Sequence, residues 1–341
     1  MGDQNGVVDR ISELPDCIIH HIMSYLSQEK VAQMSVLSRR WNYLQISLPI
    51  LVFNRWRKET CRERSEEFIR YVDASILRFC ELEVPLQKFR LCMTLYEVEG
   101  ATSLLDKWIE LGVAREYLKK LLLKNVRIDD QMVQKFIRGC PLLEDLFLFP
   151  IWDSESVCVI HAPKLKILTI DLSSNSCTDD IIEIVSPGLQ QFTIVSISSG
   201  CVIDMPGCYD LKYLALSEAA ISDEEFHNLV LKFPFLETLI LYDCTVTKIA
   251  FSSNRLRELE VFNCRSLISV DIDAPSLLTF SYQFISRIAS INVPRTCSWK
   301  TRFLFEGYRD PLVSFHSLKQ LLEVPYEIEE LRIRIYVKVC L

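Results

Sequence analysis

The chain is 341 residues long and 49% hydrophobic, enough apolar material for a sizeable core in one elongated domain or in several. Its formal charge of -7 and isoelectric point near 5.4 give no overall field that would gather nucleic acid or an anionic membrane surface. The 13 cysteines are dispersed, odd in number and never in a C-x-x-C pair, so they read as buried thiols of a reducing compartment, with neither a disulfide framework nor a zinc site expected.

Met1 to Val8 is polar and lacks the apolar stretch of a secretory leader, and Gly6 stands where a myristoylation motif needs Ser or Thr. No 18-residue apolar run follows, so the expectation is a soluble intracellular protein. Residues 9 to 48 are helical in pattern. Leu14-Pro15 suits a helix start, because the N–H that Pro lacks is unpaired in the first turn anyway, and Ile18, Ile19, Ile22 and Leu26 follow on one stripe. Ser27 reads as a cap. A second short helix carries Val31 and Met34, and a third runs from about Ser38 to Gln45 with Trp41 and Leu44 on one side and Arg39 and Arg40 beside them. Three short helices in ~40 residues make a core too small to stand without a partner or a neighbouring domain. From 55 to 80, Arg55, Arg57, Lys58, Arg62, Arg64 and Arg70 alternate with Glu59, Glu63, Glu66 and Glu67. This pattern predicts a solvated helical connector and no nucleic-acid contact.

A different period then takes over. Leu118-x-x-Leu121-x-Leu123 returns in copies that begin at Leu143, Leu165, Leu189, Leu211, Leu236, Leu256 and Leu277, with a looser copy upstream at Leu86. The spacings of 25, 22, 24, 22, 25, 20 and 21 residues fit a strand plus a return segment, stacked because one strand cannot bury its apolar face alone. The fold class is therefore an α/β (α+β) repeat solenoid with a parallel sheet on its concave face, and Leu168, Leu214, Leu239 and Leu259 are predicted to point inward. Asp129 to Arg138, Thr178 to Val185 and Ser222 to Lys232 read as return helices, the last opened by a capping box of Ser222 and Glu225. The closely spaced units at 236, 256 and 277 leave room only for a turn or a short extended return, so curvature should vary along the array.

Residues two, four and six places after each first leucine lie on the strands but face away from the core. Phe147, Phe149, Tyr213, Ile240, Tyr242 and Phe262 fall in this set, with Lys120 and Lys124 on one flank and Glu258 and Glu260 on the other. Aromatic residues held outward tend to anchor interfaces, so these positions are expected to contact a protein ligand.

The string Asp9-Arg10-Ile11-Ser12-Glu13-Leu14-Pro15-Asp16, then Ile18, Ile22 and Leu26, then Val36-Leu37-Ser38-Arg39-Arg40-Trp41 and Leu44, resembles an F-box of the plant type. Leu48-Pro49-x-Leu51-x-Phe53, Gly139-Cys140-Pro141-Leu142-Leu143-Glu144-x-Leu146 and Ala162-Pro163-x-Leu165-x-x-Leu168 resemble F-box proteins with leucine-rich repeats. Cys244 and Cys264 sit where such repeats place Asn or Cys. The resemblance implies a three-helix F-box over 9–50, a helical connector over 51–85, a leucine-rich repeat array over 86–290 and capping repeats over 291–341. It implies docking on a Skp-family adaptor, and through it on a cullin and a RING protein, by Leu14, Pro15, Ile18, Ile22, Leu26, Val31, Leu37, Arg40 and Trp41. The repeats would then bind the protein to be ubiquitinated, in the cytoplasm or nucleus. A full FBD domain, which many plant relatives carry, is not expected beside the strand-like Leu331 to Val339.

Catalytic motifs do not compete with this reading. No G-x-x-x-x-G-K-[ST], G-x-G-x-x-G or G-x-S-x-G occurs, and 9 glycines leave little material for phosphate-cradling loops. Asp179-Asp180 and Glu329-Glu330 read as solvated or helix-start carboxylates. A non-catalytic receptor without cofactor or metal is expected; the alternatives are a repeat-based scaffold or signalling receptor with no ligase role, and an enzyme.

Overall fold

The computed structural model describes residues 13–26, 28–34, 36, 38–54, 62–81, 86–92, 107, 117–127, 130–151, 157–173, 181–284, 289–294, 297–306, 319 and 328–336. Three helices open it: α1 (Asp16–Ser24), α2 (Gln28–Met34) and α3 (Arg39–Ile46). Pro15 stands immediately before α1, and the Ser38 hydroxyl caps α3 by accepting from the Trp41 N–H at 3.3 Å. Ile19 and Met23 pack with Val31, Trp41 and Leu44 in a small core of their own, flanked by Leu14, Leu26, Met34 and Leu48.

The strands, numbered along the chain, fall into three sheets, all parallel. The long sheet holds β1 (Ile50–Asn54), β2 (Lys88–Cys92), β3 (Lys120–Arg127), β4 (Asp145–Ile151), β6 (Ile167–Asp171) and β8 (Gln191–Val195). It continues with β10 (Tyr213–Ser217), β11 (Thr238–Tyr242), β13 (Glu258–Phe262), β15 (Thr279–Phe284), β17 (Ser298–Glu306) and β18 (Ile328–Tyr336). The return layer consists of helices α4 (Arg62–Glu81), α5 (Asp130–Gly139) and α6 (Asp223–Leu231) and two small sheets. One pairs β5 (Val157–His161), β7 (Ile181–Val185) and β9 (Val202–Asp204), and the other pairs β12 (Lys248–Ser252), β14 (Ser269–Asp273) and β16 (Ser290–Asn292). A helix occupies ~10–12 Å of the stacking direction and a strand only ~4.8 Å, so stacking helices behind strands puts the long sheet on the inner side of a curve. Where the return is itself a strand, the two layers match and the curve relaxes.

Leu168, Leu214, Leu239 and Leu259 are fully buried between the layers, in the register the repeats dictate. Two expectations need correction. Thr178 to Val185 is not a helix where it is described: Ile181–Val185 is β7, and residues 178–180 lie outside the described residues. Its β-branched run gains hydrogen bonds from β5 and β9 on both sides, which a lone short helix would not have. Nor is the charged segment after the box simply a solvated connector. Leu51 and Phe53 belong to β1, which pairs with β2, and Ile69, Val72, Ile76 and Phe79 of α4 are buried in the main core. The unit β1–α4–β2 thus has the strand–return–strand form of a repeat. At the other end β17 and β18 prolong the same sheet.

Both rims of the long sheet are tied in a repeating way. The carbonyls of Pro49, Gln87, Lys119, Glu144, Lys166, Gln190, Lys212, Glu237 and Arg257 each accept two consecutive N–H groups of the next unit. At the opposite rim Ser196, Glu218, Asp243 and Asn263 adopt left-handed backbone with φ of 52–64°, and their N–H groups reach the carbonyls of Ser217, Tyr242, Phe262 and Gln283. Asn and Asp tolerate this conformation because their short side chains bond locally. The turn after each of these strands is therefore fixed without glycine.

Candidate functional sites

Two outward faces carry the chemistry singled out from the sequence. On the helical unit, α1 presents two apolar rows one residue apart. Ile19 and Met23 face the small core, whereas Ile18 and Ile22 face solvent and are 44% and 37% exposed. Tyr25, Val36 and Tyr43 add further exposed apolar surface. Of the residues implied as adaptor contacts, Val31 and Trp41 are buried in the small core and hold the unit together from inside. Leu14 and Leu26 are half-buried against that core, Pro15 is exposed, and Leu37 lies outside the described residues. Arg40 turns inward on the chain itself. Its Nη2 donates to the Leu14 carbonyl at 2.5 Å and lies 2.6 Å from Asp16 Oδ1, so it latches the Leu14-Pro15-Asp16 turn to α3. His20 Nε2 lies 3.0 Å from the Leu44 carbonyl and 3.2 Å from Ser47 Oγ, a second tie between α1 and the end of α3. Tyr25, Val36 and Tyr43 were not signalled by the stripe at Ile18–Leu26; the aromatic at 43, one residue before buried Leu44, was the cue available.

On the long sheet the outward rows fall as the register predicts. Burial alternates along β6, β8, β11 and β13, with Leu, Phe, Ile or Val inside and the predicted set outside. Tyr242 is exposed; Phe147, Phe149, Tyr213, Ile240, Glu258, Glu260 and Phe262 are half-buried. Lys120 is exposed and bonds Asp145 at 3.1 Å, and Lys124 Nζ stands 4.9 Å from the Phe149 ring centre, a cation–π distance. Tyr213 feels both its burial and the carboxylates of Glu260 and Glu258, which together raise its hydroxyl pKa. Ala215 and Ser281 are on the outward side of the register yet are buried. Along the rim beside these rows runs a charge ladder absent from the sequence reading: Glu144 lies 4.0 Å from Lys119 and 2.9 Å from Lys166, and Lys212 lies 3.7 Å from Glu237. Each such pair is worth little alone, but opposite charges on adjacent strands favour this register over a slipped one.

Cys244 and Cys264 occupy equivalent turn positions, with thiols donating to the Leu216 and Phe262 carbonyls. Hydrogen bonding to Cys244, then burial, pushes the Cys264 thiol up, and burial pushes Cys140 up to about 12. Cys140 and Cys264 are therefore poor nucleophiles, whereas hydrogen bonding to Cys264 lowers the Cys244 thiol pKa. Among the described residues there is no group of three or more His, Cys, Asp or Glu side chains placed to hold a metal, and no helix long and apolar enough to cross a membrane.

Comparison with known proteins follows the same division. An F-box domain model matches residues 11–53, a leucine-rich repeat model matches 118–141, and the leucine-rich-repeat domain of the At1g61320/AtMIF1 type matches 199–339. A putative F-box protein of Arabidopsis thaliana, At3g58950, is 31% identical over 169 residues, which cover 48% of this chain and 39% of that protein. The F-box protein At3g59000 is 24% identical over 290 residues (81% and 48%), and the F-box/LRR-repeat protein At3g03360 is 23% identical over 317 (79% and 64%), both from the same plant. The chain thus spans about half the length of the curated relatives it matches. The three domain models and these relatives, together with a helical unit joined to a leucine-rich parallel-strand solenoid, support a plant-type F-box/leucine-rich-repeat protein.

Proposed function

We propose that the chain is a non-catalytic substrate receptor of a Skp–cullin–F-box ubiquitin ligase. Helices α1–α3 are read as the three helices of the F-box, which docks on a Skp-family adaptor and so reaches cullin and the RING protein. The long sheet's outward face holds the protein to be ubiquitinated, and the chain works in the cytoplasm or nucleus. For the functional division, we take 9–50 as the adaptor unit and the strands from β1 onward as the receptor.

The observation that carries this reading is the second apolar row of α1. Ile18 and Ile22 keep about two fifths of their surface exposed, outside the core that Ile19 and Met23 fill. An apolar row left outside so small a core is the kind of surface that a partner covers. Affinity purification of the intact chain, of a chain lacking residues 9–50 and of Tyr213→Ala/Tyr242→Ala, each under proteasome inhibition, tests the scheme. Removing the box should lose the adaptor and keep the client, and the tyrosine variant should do the reverse. A box-deleted chain that still brings down the adaptor would sink the receptor assignment in favour of a scaffold.

A further inference from the structure

The outward face of the long sheet carries a charge order that bears on what it holds; this rests on the reading of that face as the receptor surface. Its middle row runs in unbroken strand-to-strand register from Arg90 on β2, through Leu122, Phe147, Thr169, Thr193, Ala215 and Ile240, to Glu260 on β13. The two limits of this stretch have opposite charge, and the sheet continues past it through Ser281 to Lys300. At one limit Lys88 and Lys120, the latter bonded to Asp145, stand side by side next to Arg90; at the other, Glu258 lies beside Glu260 on the same strand. Arg90 also holds a buried Nε with no hydrogen-bond partner among the described residues. A buried donor of this kind calls for an acceptor that the chain's described part does not provide.

Between Phe147 and Ile240 the row is low. Thr169, Thr193 and Ala215 are small, and Ala215 is only 7% exposed although it faces outward. Tyr213 and Tyr242 lie two positions off the row on either side, the first half-buried and the second exposed. Positions two before and two after the row are four residues apart, or about 14 Å between Cα atoms at ~3.4 Å per residue. Once the side chains standing on those walls are counted, a helix of ~10–12 Å diameter does not reach the floor, whereas an extended chain does. Seven strand spacings of ~4.7 Å separate Arg90 from Glu260, about 33 Å, which an extended chain covers in about ten residues at ~3.3 Å each.

We propose that the occupant of this trough is an extended segment of the recruited protein. Its acidic end sits against Arg90 and Lys88, its basic end about ten residues away sits against Glu258 and Glu260, and apolar side chains in between lie on the small floor beside the tyrosines. The charges fix the direction in which the segment lies, while the apolar middle supplies most of the affinity. Since the ends are several times farther apart than the ~8 Å screening length at physiological salt, each end acts independently.

The test pans a phage-displayed library of random 16-residue peptides on the full chain, on Tyr213→Ala/Tyr242→Ala and on Glu258→Lys/Glu260→Lys. Enriched peptides should carry acidic and basic residues about ten positions apart, in either chain direction, with apolar residues between. They should lose binding to the tyrosine variant and bind the lysine variant roughly tenfold or more weakly, and panning on the lysine variant should select acidic residues at both ends. Peptides that need the tyrosines but show no charge order, or ignore the charge reversal, overturn this inference and leave the receptor face standing. Peptides indifferent to the tyrosine variant overturn the receptor face itself, and failure to enrich any peptide refutes an extended occupant.

Discussion

Replacing Leu239 by Ala separates the residues that build the solenoid from those that only decorate it. Leu239 is fully buried on β11, in register between Leu214 and Leu259, which are equally buried. The change removes three carbons from this position, worth ~2.4 kcal/mol at ~0.8 kcal/mol per carbon. A residual cavity of some tens of Å3 adds on the order of 1 kcal/mol at ~24 cal/mol per Å3, so the expected loss is ~3 to 4 kcal/mol. Its neighbours on the same strand, Thr238 and Ile240, face outward and are half-buried. Thr238→Ala should cost within ~0.5 kcal/mol and Ile240→Ala about 1, from partial burial alone. Urea unfolding of the wild type and the three variants, compared at matched slope, reads these values directly. Losses at 238 or 240 as large as at 239 would mean that the strand is turned over, since a slip of one residue exchanges the two faces.

Arg40→Ala should destabilise the helical unit by ~1 to 2 kcal/mol, because the half-exposed pair with Asp16 contributes little while the bond to the Leu14 carbonyl is charge-assisted; hydrogen exchange of α1 amides checks this, and unchanged exchange would make the latch incidental. Ser222→Ala should cost α6 about 1 kcal/mol through loss of its capping box. The Ser222 hydroxyl, and then its backbone N–H, hold Glu225 below the ordinary 4.5 of its type. A lowered folded-state value means that this contribution is complete above pH ~4.5 and is lost as pH falls through the folded value. Thermal melts from pH 6 down to 3 should therefore show a shallower acid decline for Glu225→Gln than for the wild type; identical slopes would contradict the bond.

Much of the fold was legible because its strands repeat one pattern. The two-residue alternation identifies which leucines are buried, and Ser222 with Glu225 marks the start of α6. Ile181 to Val185 was misread because apolar residues at 181, 182, 184 and 185 satisfy helical spacing and alternation alike over so short a run. Four β-branched residues in that run were the available signal. The box was legible as a motif, but the stripe Ile18, Ile19, Ile22 and Leu26 merged two rows that the fold separates. Periodicity identifies faces of a helix; only the position of Trp41 and Leu44 decides which face they cover. Arg40 illustrates the same limit, since its partner Asp16 is 24 residues away. The trough escaped notice because its floor is made of Thr and Ala, residues without signature, and because Arg90 belongs to the looser first copy.

The central claim rests on the outward row of α1, and the affinity of the purified chain for a purified Skp-family adaptor tests it most directly. Ile18 and Ile22 each retain about two fifths of their surface for a partner. Covering that share at ~1.5 to 3 kcal/mol for a whole side chain gives ~0.6 to 1.3 kcal/mol each, so Ile18→Ala/Ile22→Ala should weaken binding roughly 7- to 70-fold. Leu14→Ala/Pro15→Ala should also lose the adaptor, but with partial loss of the unit's own packing. The predicted result is weakened calorimetric affinity for an isoleucine variant whose helices α1–α3 remain folded; wild-type affinity in that folded variant would contradict the assignment of this face to the adaptor.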